Sequence, residues 1–310
     1  MFANLHVYRL TRSWKMTSDQ LEGLLYKRRF APCGSQDTKS MGWVSPQEKG
    51  PLVHAQGRQW LLSLCIETKA VPAAAIKKEV EIKAKAYEEQ NGYKPGRKIL
   101  KEFKEDAMMA LLPRAFAKQV TVQVWVDAED GWVAINTSSP SKADDVVSVL
   151  LETSQGADAA PISMVRTHLS PAQAMSDWLV SGEAPVSFTV DRDCELKGTE
   201  DEKPTIRYSR LSLERKEIRQ HIEEGKRPTK LAMTWDDRGD ARLSFILTDK
   251  MQIKKLTFLD AVMKDIKLDS EDADALFHST FAVMTGELSK FFPDLIDALG
   301  GEEAYEEAAA

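Results

Sequence analysis

Residues 119–137, QVTVQVWVDAEDGWVAINT, decide the fold class of this chain. Apolar and polar side chains alternate along 119–127, which is typical of a β-strand with one face in the core. Asp130-Gly131 is a pair that favours a tight turn, and a second strand is predicted over 132–137. The stretch therefore predicts an antiparallel β-hairpin.

Strands and hairpins recur on both sides of this stretch, separated by pairs of helices. Strands are predicted over 5–10, 52–55, 59–67, 229–235 and 241–248, and helices over 72–90, 97–110, 171–180, 213–225 and 269–299. This arrangement is typical of the α+β class, with hairpin-built antiparallel sheets and helix pairs.

Three regions are expected along the chain. An N-terminal α+β region over 1–160 contains a basic helical segment at 72–118. A C-terminal α+β region over 161–299 contains the hairpin 229–248 and the terminal helices. Residues 300–310 form an acidic tail that is expected to fray.

Local signals predict where several elements begin and end. Thr17 with Gln20 resembles a capping box that opens a short helix. Ser141 is predicted to cap a helix that runs to about residue 153. The C-terminal helical part is expected to be interrupted near Pro293, and the acidic stretch 191–203 is predicted to be a loop.

Charge is sorted into blocks along a chain whose formal net charge is -6. Residues 69–118 hold 12 Lys and Arg against 7 Asp and Glu, and residues 203–267 hold 16 against 10. Residues 119–202 and 268–310 are acidic, with 4 against 15 and 1 against 11. A fold that gathers the basic blocks on one surface could bind a polyanion although the whole chain is acidic.

The first basic block contains two predicted helices with different charge patterns. The first helix alternates charges at i,i+4, as in Lys77 and Glu81, which indicates a solvated face with ion pairs. On the second helix, Arg97, Lys101 and Lys104 form a stripe with no acid among them. Phosphates would relieve the repulsion within that stripe, so it is either a DNA-binding surface or incidental charge.

Candidate DNA-binding residues come from both basic blocks. They are Arg97, Lys98, Lys101, Lys104, Arg114 and Lys118 in the first block, and Arg215, Arg219, Lys226, Arg227 and Lys230 in the second. Arginine suits forked phosphate contacts. Glutamates interleave in the second block, so surface ion pairing is the alternative there.

Signals for an enzyme or a metal site are weak. Cys33, Cys65 and Cys194 lie far apart, so neither a zinc site nor a disulfide framework is indicated. No phosphate-cradling loop and no HExxH motif occur, and no signal peptide or membrane span is predicted. We therefore expect no cofactor, no metal, no membrane partner and no enzyme activity.

One alternative is a metal-dependent DNA nuclease. Glu195-Leu196-Lys197 has the E-x-K form of such nucleases, with Asp191 and Asp193 just before it. These enzymes hold their metal with acids on a strand, whereas this stretch is predicted to be a loop. A second alternative is a protein-interaction module whose basic blocks meet an acidic partner.

Several ordered stretches resemble the RdgC family of bacterial recombination-associated proteins. They are LHVYRL at 5–10, FAPCGSQ at 30–36, MGWV at 41–44, LLPRAF at 111–116, HIEEGK at 221–226, TKLAMTW at 229–235 and MTGEL at 284–288. None of them is a catalytic motif. The set covers nearly the whole chain in the family's order.

The resemblance implies a horseshoe-like monomer that closes into a ring-shaped homodimer around duplex DNA. Family members bind double-stranded and single-stranded DNA with little sequence preference, and they restrain a RecA-type recombinase. A cytoplasmic, nucleoid-associated location follows from this role. The basic residues are expected to line the hole, and the acidic blocks to face outward.

Four residues are implied at the two dimer contacts. Phe116, from the LLPRAF motif, matches the first contact, although an aromatic residue at a helix-to-strand junction is more often in the core. The segment 207–213 matches the second contact and supplies Arg207, Arg210 and Leu211. This chain reads Tyr208-Ser209-Arg210-Leu211 where relatives can carry a Lys-Gln pair.

Overall fold

One antiparallel sheet of twelve strands forms the centre of the molecule. The computed structural model describes residues 2–155, 160–198, 204–213, 216–237, 242–259 and 272–305. The predicted α+β class and the predicted antiparallel hairpins are confirmed. Strands from both sides of residue 160 belong to this sheet, and the division into domains stays a prediction.

The strands have the following bounds and order. In chain order they are β1 Leu5–Leu10, β2 Lys39–Val44, β3 His54–Gln56, β4 Gln59–Lys69, β5 Ala117–Asp127, β6 Trp132–Asn136, β7 Ile162–Met164, β8 Phe188–Lys197, β9 Thr205–Tyr208, β10 Arg227–Asp236, β11 Arg242–Thr248 and β12 Gln252–Phe258. Across the sheet they lie in the order β2-β4-β5-β6-β1-β12-β11-β10-β8-β9, with β3 paired to β4 and β7 paired to β1.

Seven α-helices lie within the described residues. They are α1 Ser18–Lys27, α2 Ala73–Asn91, α3 Arg97–Leu111, α4 Pro140–Thr153, α5 Pro171–Ser181, α6 Lys216–Glu223 and α7 Ala273–Ala298. A short 3₁₀ helix, Leu112–Arg114, follows α3.

The sheet has a hydrophobic core on each face because side chains alternate along its central strand. Leu5 and Val7 of β1 belong to the core that α5, α6 and α7 cover. Tyr8 and Leu10 belong to the opposite core, which α1 and α4 cover. Each large apolar side chain that is fully buried contributes about 1.5–3 kcal/mol, so both layers of helices are held firmly to the sheet.

The helix termini confirm one capping prediction and correct another. Thr17 and Gln20 form the predicted capping box at the start of α1. Ser141 does not cap α4, because that helix already begins at Pro140 and its cap position is Ser139. Proline suits the first helical position, where its missing N–H has no partner to lose.

The predicted interruption near Pro293 is wrong, because α7 continues through this residue. Pro293 lies on the exposed side of the helix, where the carbonyl that loses its N–H partner can turn to water. Phe292 and Leu295 on the opposite side are buried. Their packing holds the helix together across the proline.

The predicted fraying of the tail is wrong for its described part, residues 300–305. Arg9 Nε lies 2.9 Å from Glu302 Oε1, and Tyr305 donates its hydroxyl to the same carboxylate at 2.8 Å. The tail also forms a bridge from Glu302 to Thr167. It is therefore tied to β1. The rest of the predicted tail lies outside the described residues.

Candidate nucleic-acid interface

The helical hairpin α2–α3 is inserted between two paired strands and stands mostly in solvent. Lys69 ends β4 and pairs directly with Ala117, the first residue of β5. No residue of α2 is buried, and Ala107 is the only buried residue of α3. The hairpin therefore contributes little to the core, and nearly all of its side chains face solvent or each other.

The basic stripe predicted on α3 is exposed as expected. Arg97 and Lys104 have no ion-pair partner within the part of the chain that the structure describes. Lys101 is different, because its Nζ lies 3.8 Å from Glu105 Oε1 at i,i+4. The prediction of a stripe without acids is therefore wrong for Lys101. An exposed pair of this kind is worth only about 0.3–0.5 kcal/mol.

The other predicted cations of the first block are also exposed, and α2 forms one of its predicted ion pairs, that of Lys77 with Glu81. Lys98, Arg114 and Lys118 all face solvent. Lys77 and Glu81 lie 3.8 Å apart. All six candidate DNA-binding residues of the first block are thus accessible to a ligand.

In the second basic block, two cations are bound to a carboxylate of the protein, that of Glu195. This residue lies on β8, so the prediction of a loop over 191–203 is wrong for 191–197; residues 199–203 lie outside the described part. Arg207 Nε lies 2.7 Å from Glu195 Oε2, and Lys230 Nζ lies 3.0 Å from Oε1. Cross-strand pairing on β9 and β10 places both cations beside this carboxylate.

The protonation equilibrium of Glu195 reflects these contacts. Burial raises the pKa of Glu195, but hydrogen bonds from Lys230, Thr229 and Arg207 outweigh that effect and lower the pKa to about 2. Donors that bind the ionised form favour it over the neutral acid. Glu195 is therefore a carboxylate at neutral pH, and it compensates two cations of the second block.

The remaining candidates of this block are unevenly accessible. Lys226 Nζ lies 2.9 Å from Glu224 Oε2. Arg219 is half-buried, and its Nε has no hydrogen-bond partner among the described residues. Its Nη2 lies close to Gly182, 3.0 Å from the position that a Cβ would take on that residue. Arg227 is exposed, and Arg215 lies outside the described residues. Of the interleaved glutamates, Glu224 forms the surface ion pair that the alternative expected, with Lys226.

The acids of the possible nuclease site are bound by protein donors. Asp193 Oδ1 accepts hydrogen bonds from the Ser209 hydroxyl at 2.9 Å and from the Arg210 N–H at 2.8 Å. Asp191 Oδ2 accepts one from Thr234 at 3.0 Å. Among the described residues, no group of three or more His, Cys, Asp or Glu side chains could hold a metal ion. The nuclease alternative is therefore not favoured.

The residues implied at the dimer contacts are all on the surface. Phe116 is 94% exposed, so the alternative that it belongs to the core of the monomer is wrong. Leu211 is exposed as well, and Arg210 adopts a left-handed backbone conformation with φ 56°. Arg207 is exposed but bound to Glu195.

Two features of the hairpin were missed in the sequence. A mainly apolar groove of about 570 Å³ lies between α2 and α3. Its lining consists of Val71, Ala73, Ile76, Val80 and Leu100 together with the charged residues Lys77, Glu81 and Lys104. Tyr93 is exposed at the tip. Residues 76 and 80 are four apart, a spacing that could have revealed an apolar strip on α2, and Tyr93 lies in a turn of the sequence NGYKPG.

No helix within the described residues has both the length and the apolar character that crossing a bilayer requires.

Comparison with known proteins shows which family the chain resembles. A family model described as "RdgC: Putative exonuclease, RdgC" matches residues 1–302.

Three curated relatives share the name "Recombination-associated protein RdgC". The relative from Dechloromonas aromatica (strain RCB) is 44% identical over 304 residues, covering 97% of this chain and 98% of the relative. The relative from Herminiimonas arsenicoxydans is 43% identical, covering 98% and 99%. That from Janthinobacterium sp. (strain Marseille) is 42% identical, covering 97% and 98%. This chain therefore belongs to the RdgC family of recombination-associated proteins.

Proposed function

We propose that this protein binds DNA without sequence preference, encircles the duplex as a ring-shaped homodimer and limits the access of a RecA-type recombinase. The observation that carries the proposal is the exposed α2–α3 hairpin, where Arg97, Lys98 and Lys104 have no ion pair among the described residues. Cations that are free of protein partners can neutralise phosphates and release counterions. Such contacts give affinity that does not depend on base sequence.

The proposed dimer uses Phe116 and the apolar groove of the same hairpin. Phe116 is almost fully exposed, and burying such a side chain in a partner gains about 1.5–3 kcal/mol. The groove, lined by Val71, Ile76, Val80 and Leu100, is an apolar surface near the root of the hairpin. In a two-fold dimer each copy would place Phe116 into the groove of the other, because such an interface uses the same surface twice.

The second proposed contact involves Arg207, Arg210 and Leu211. They lie on and just after β9, which is the last strand of the sheet. Two contacts at separate places on each monomer would close a horseshoe into a ring, whereas a single contact would leave it open. A closed ring leaves circular DNA slowly, so occupancy alone could hold a recombinase away.

This role requires neither a cofactor nor an active site. The protein would act on the nucleoid, in the cytoplasm, on double-stranded and single-stranded DNA. The family description, "Putative exonuclease", points to a nuclease as the alternative function. A metal site at Glu195, Asp191 and Asp193 is not favoured, because protein donors bind all three carboxylates.

The test combines salt dependence with DNA topology. Affinity for mixed-sequence duplexes should fall steeply between low and physiological salt. When the logarithm of the binding constant is plotted against the logarithm of the salt concentration, each neutralised phosphate contributes about -0.9 to the slope. Protein bound to closed circular DNA should resist a high-salt wash and should be released when the circle is cut.

The Phe116→Ala variant tests closure of the dimer ring separately from DNA affinity. It should keep its thermal transition and low-salt affinity but lose retention on circles and dissociate more readily into monomers by analytical ultracentrifugation. Leu211→Ala is the corresponding variant at the second contact. A duplex affinity that is independent of salt, or no binding at all, would contradict DNA binding. Equal retention of the wild type on circular and linear DNA would contradict encirclement.

A further inference from the structure

We propose that the tip of the α2–α3 hairpin binds unpaired bases of single-stranded DNA, with Tyr93 as a stacking platform. This inference rests on the proposed DNA-binding function and assigns part of it to a particular side chain. The tip is the turn between α2 and α3, from Gly92, which ends α2 with φ 76°, to Gly96, which precedes α3.

Tyr93 is held in place although most of it is in solvent. Its hydroxyl lies 3.2 Å from the hydroxyl of Tyr87, and the two rings are nearly perpendicular with centroids 5.8 Å apart. Tyr87 packs in turn against Phe103, with centroids 6.1 Å apart. Tyr93 nevertheless remains 60% exposed. An aromatic ring that is anchored on one side and open on the other loses little conformational freedom when a ligand stacks on it.

The residues that follow this ring in sequence are rich in cations. Lys94, Arg97 and Lys98 follow Tyr93 within five residues, and none of them has an ion pair among the residues described. Glu88 and Glu89 at the end of α2 are the acids of the tip, and the first turn of α3 has none. A strand whose base reaches Tyr93 would therefore find three accessible positive charges within the next five residues of the chain.

The combination of an open aromatic ring and free cations selects unpaired DNA. In the interior of a duplex both faces of every base are already stacked, so away from the duplex ends no base face is open to Tyr93. A single strand offers free base faces, and every base has one, so stacking tolerates any sequence. The neighbouring cations would hold the phosphates that flank the stacked base.

The test compares two DNA probes and four variants. Fluorescence anisotropy would measure the affinity of the full-length protein for labelled oligo(dT) and for a blunt mixed-sequence duplex. Tyr93→Ala should bind oligo(dT) about 10-fold more weakly, in line with the stacking of one base, and should keep its duplex affinity. Tyr93→Phe keeps the ring but loses the hydroxyl contact with Tyr87, so it should bind more tightly than Tyr93→Ala, and Tyr93→Trp should bind at least as tightly as Tyr93→Phe.

Tyr26→Ala is the matched control, because Tyr26 is 64% exposed on α1 and also lies beside an arginine, Arg29. It should change neither affinity. Thermal unfolding of each variant separates lost stacking from a disturbed tip. Equal oligo(dT) affinity of Tyr93→Ala and wild type, or an equal loss on both probes, would overturn the inference while leaving DNA binding intact. A wild type that binds neither probe would overturn the proposed function itself.

Discussion

Lys and Arg are concentrated in two regions of the molecule. One is the α2–α3 hairpin, and the other is formed by the strands β8, β9 and β10. The side chains that surround these cations differ between the two regions. On the hairpin, Arg97 and Lys104 face solvent without an ion pair among the described residues. On the strands, Arg207 and Lys230 converge on the carboxylate of Glu195. A basic run can therefore remain open to a polyanion or be compensated within the protein, and charge counts along a sequence do not distinguish the two.

The largest effect is expected when the open cations are removed. Replacing Arg97, Lys98 and Lys104 with Gln should lower duplex affinity by roughly 10-fold or more at low salt, and should reduce the salt slope by up to about 3. The matched set replaces Arg207, Lys226 and Lys230 with Gln and should lower affinity much less, while reducing the thermal midpoint. Equal losses of affinity in the two sets, measured by anisotropy over a salt series, would remove the distinction between the two regions.

A smaller effect is expected when the internal counter-charge is removed. Glu195→Gln leaves Arg207 and Lys230 without their shared carboxylate, which should cost about 1–2 kcal/mol in the free energy of unfolding. The same change should strengthen duplex binding, because two cations become available to phosphates. Urea unfolding and anisotropy measure the two quantities. Glu89→Gln, on the exposed face of α2, is the control and should change stability by less than about 0.5 kcal/mol.

The stability difference between wild type and Glu195→Gln should also depend on pH. The pKa of Glu195 is lowered to about 2 in the folded protein and lies near 4.3 in an unfolded chain. The contribution of its carboxylate to the free energy of unfolding is therefore fully present when the pH is above the pKa of the unfolded chain. It should fade as the pH drops from about 5 towards 2. A difference that stays constant over this range would show that the carboxylate charge is not what stabilises the strands.

The smallest effect is expected for the ion pair between Lys101 and Glu105, which lies on the stripe itself. Glu105→Gln removes the exposed partner of Lys101 and should raise duplex affinity about twofold, through one freed cation. Stability should change by no more than about 0.5 kcal/mol, as for other exposed i,i+4 pairs. A much larger gain in affinity would mean that Glu105 repels DNA directly, and the hairpin would then be less open than its other cations indicate.

Local patterns predicted those parts of the structure whose causes are local. The hairpin over 119–137 and the capping box of Thr17 and Gln20 depend on residues that are near one another in sequence, and both are present. The helices of the basic hairpin were also predicted, because Pro72, Gly92 and Gly96 mark their ends.

Contacts between distant residues could not be predicted in this way. Arg207 and Lys230 lie 12 and 35 residues from Glu195, and only the pairing of β8 with β9 and β10 brings them together. The exposure of Phe116 also depends on the rest of the fold, because the same local pattern at a helix-to-strand junction occurs in buried segments. The exposure of the hairpin cations could therefore be predicted from the sequence, whereas the pairing of Arg207 and Lys230 with Glu195 could not.

The position of β1 in the sheet has a consequence for how the chain folds during synthesis. β1 is made first, yet it lies between β6 and β12, with Leu5 opposite both Asn136 and Ile253. At the ribosome this strand must wait for about 250 further residues, at roughly 5–20 residues per second, before both of its edges are paired. Pairings this distant in sequence slow folding, so the newly made N-terminal half exposes an open strand edge until the C-terminal half emerges.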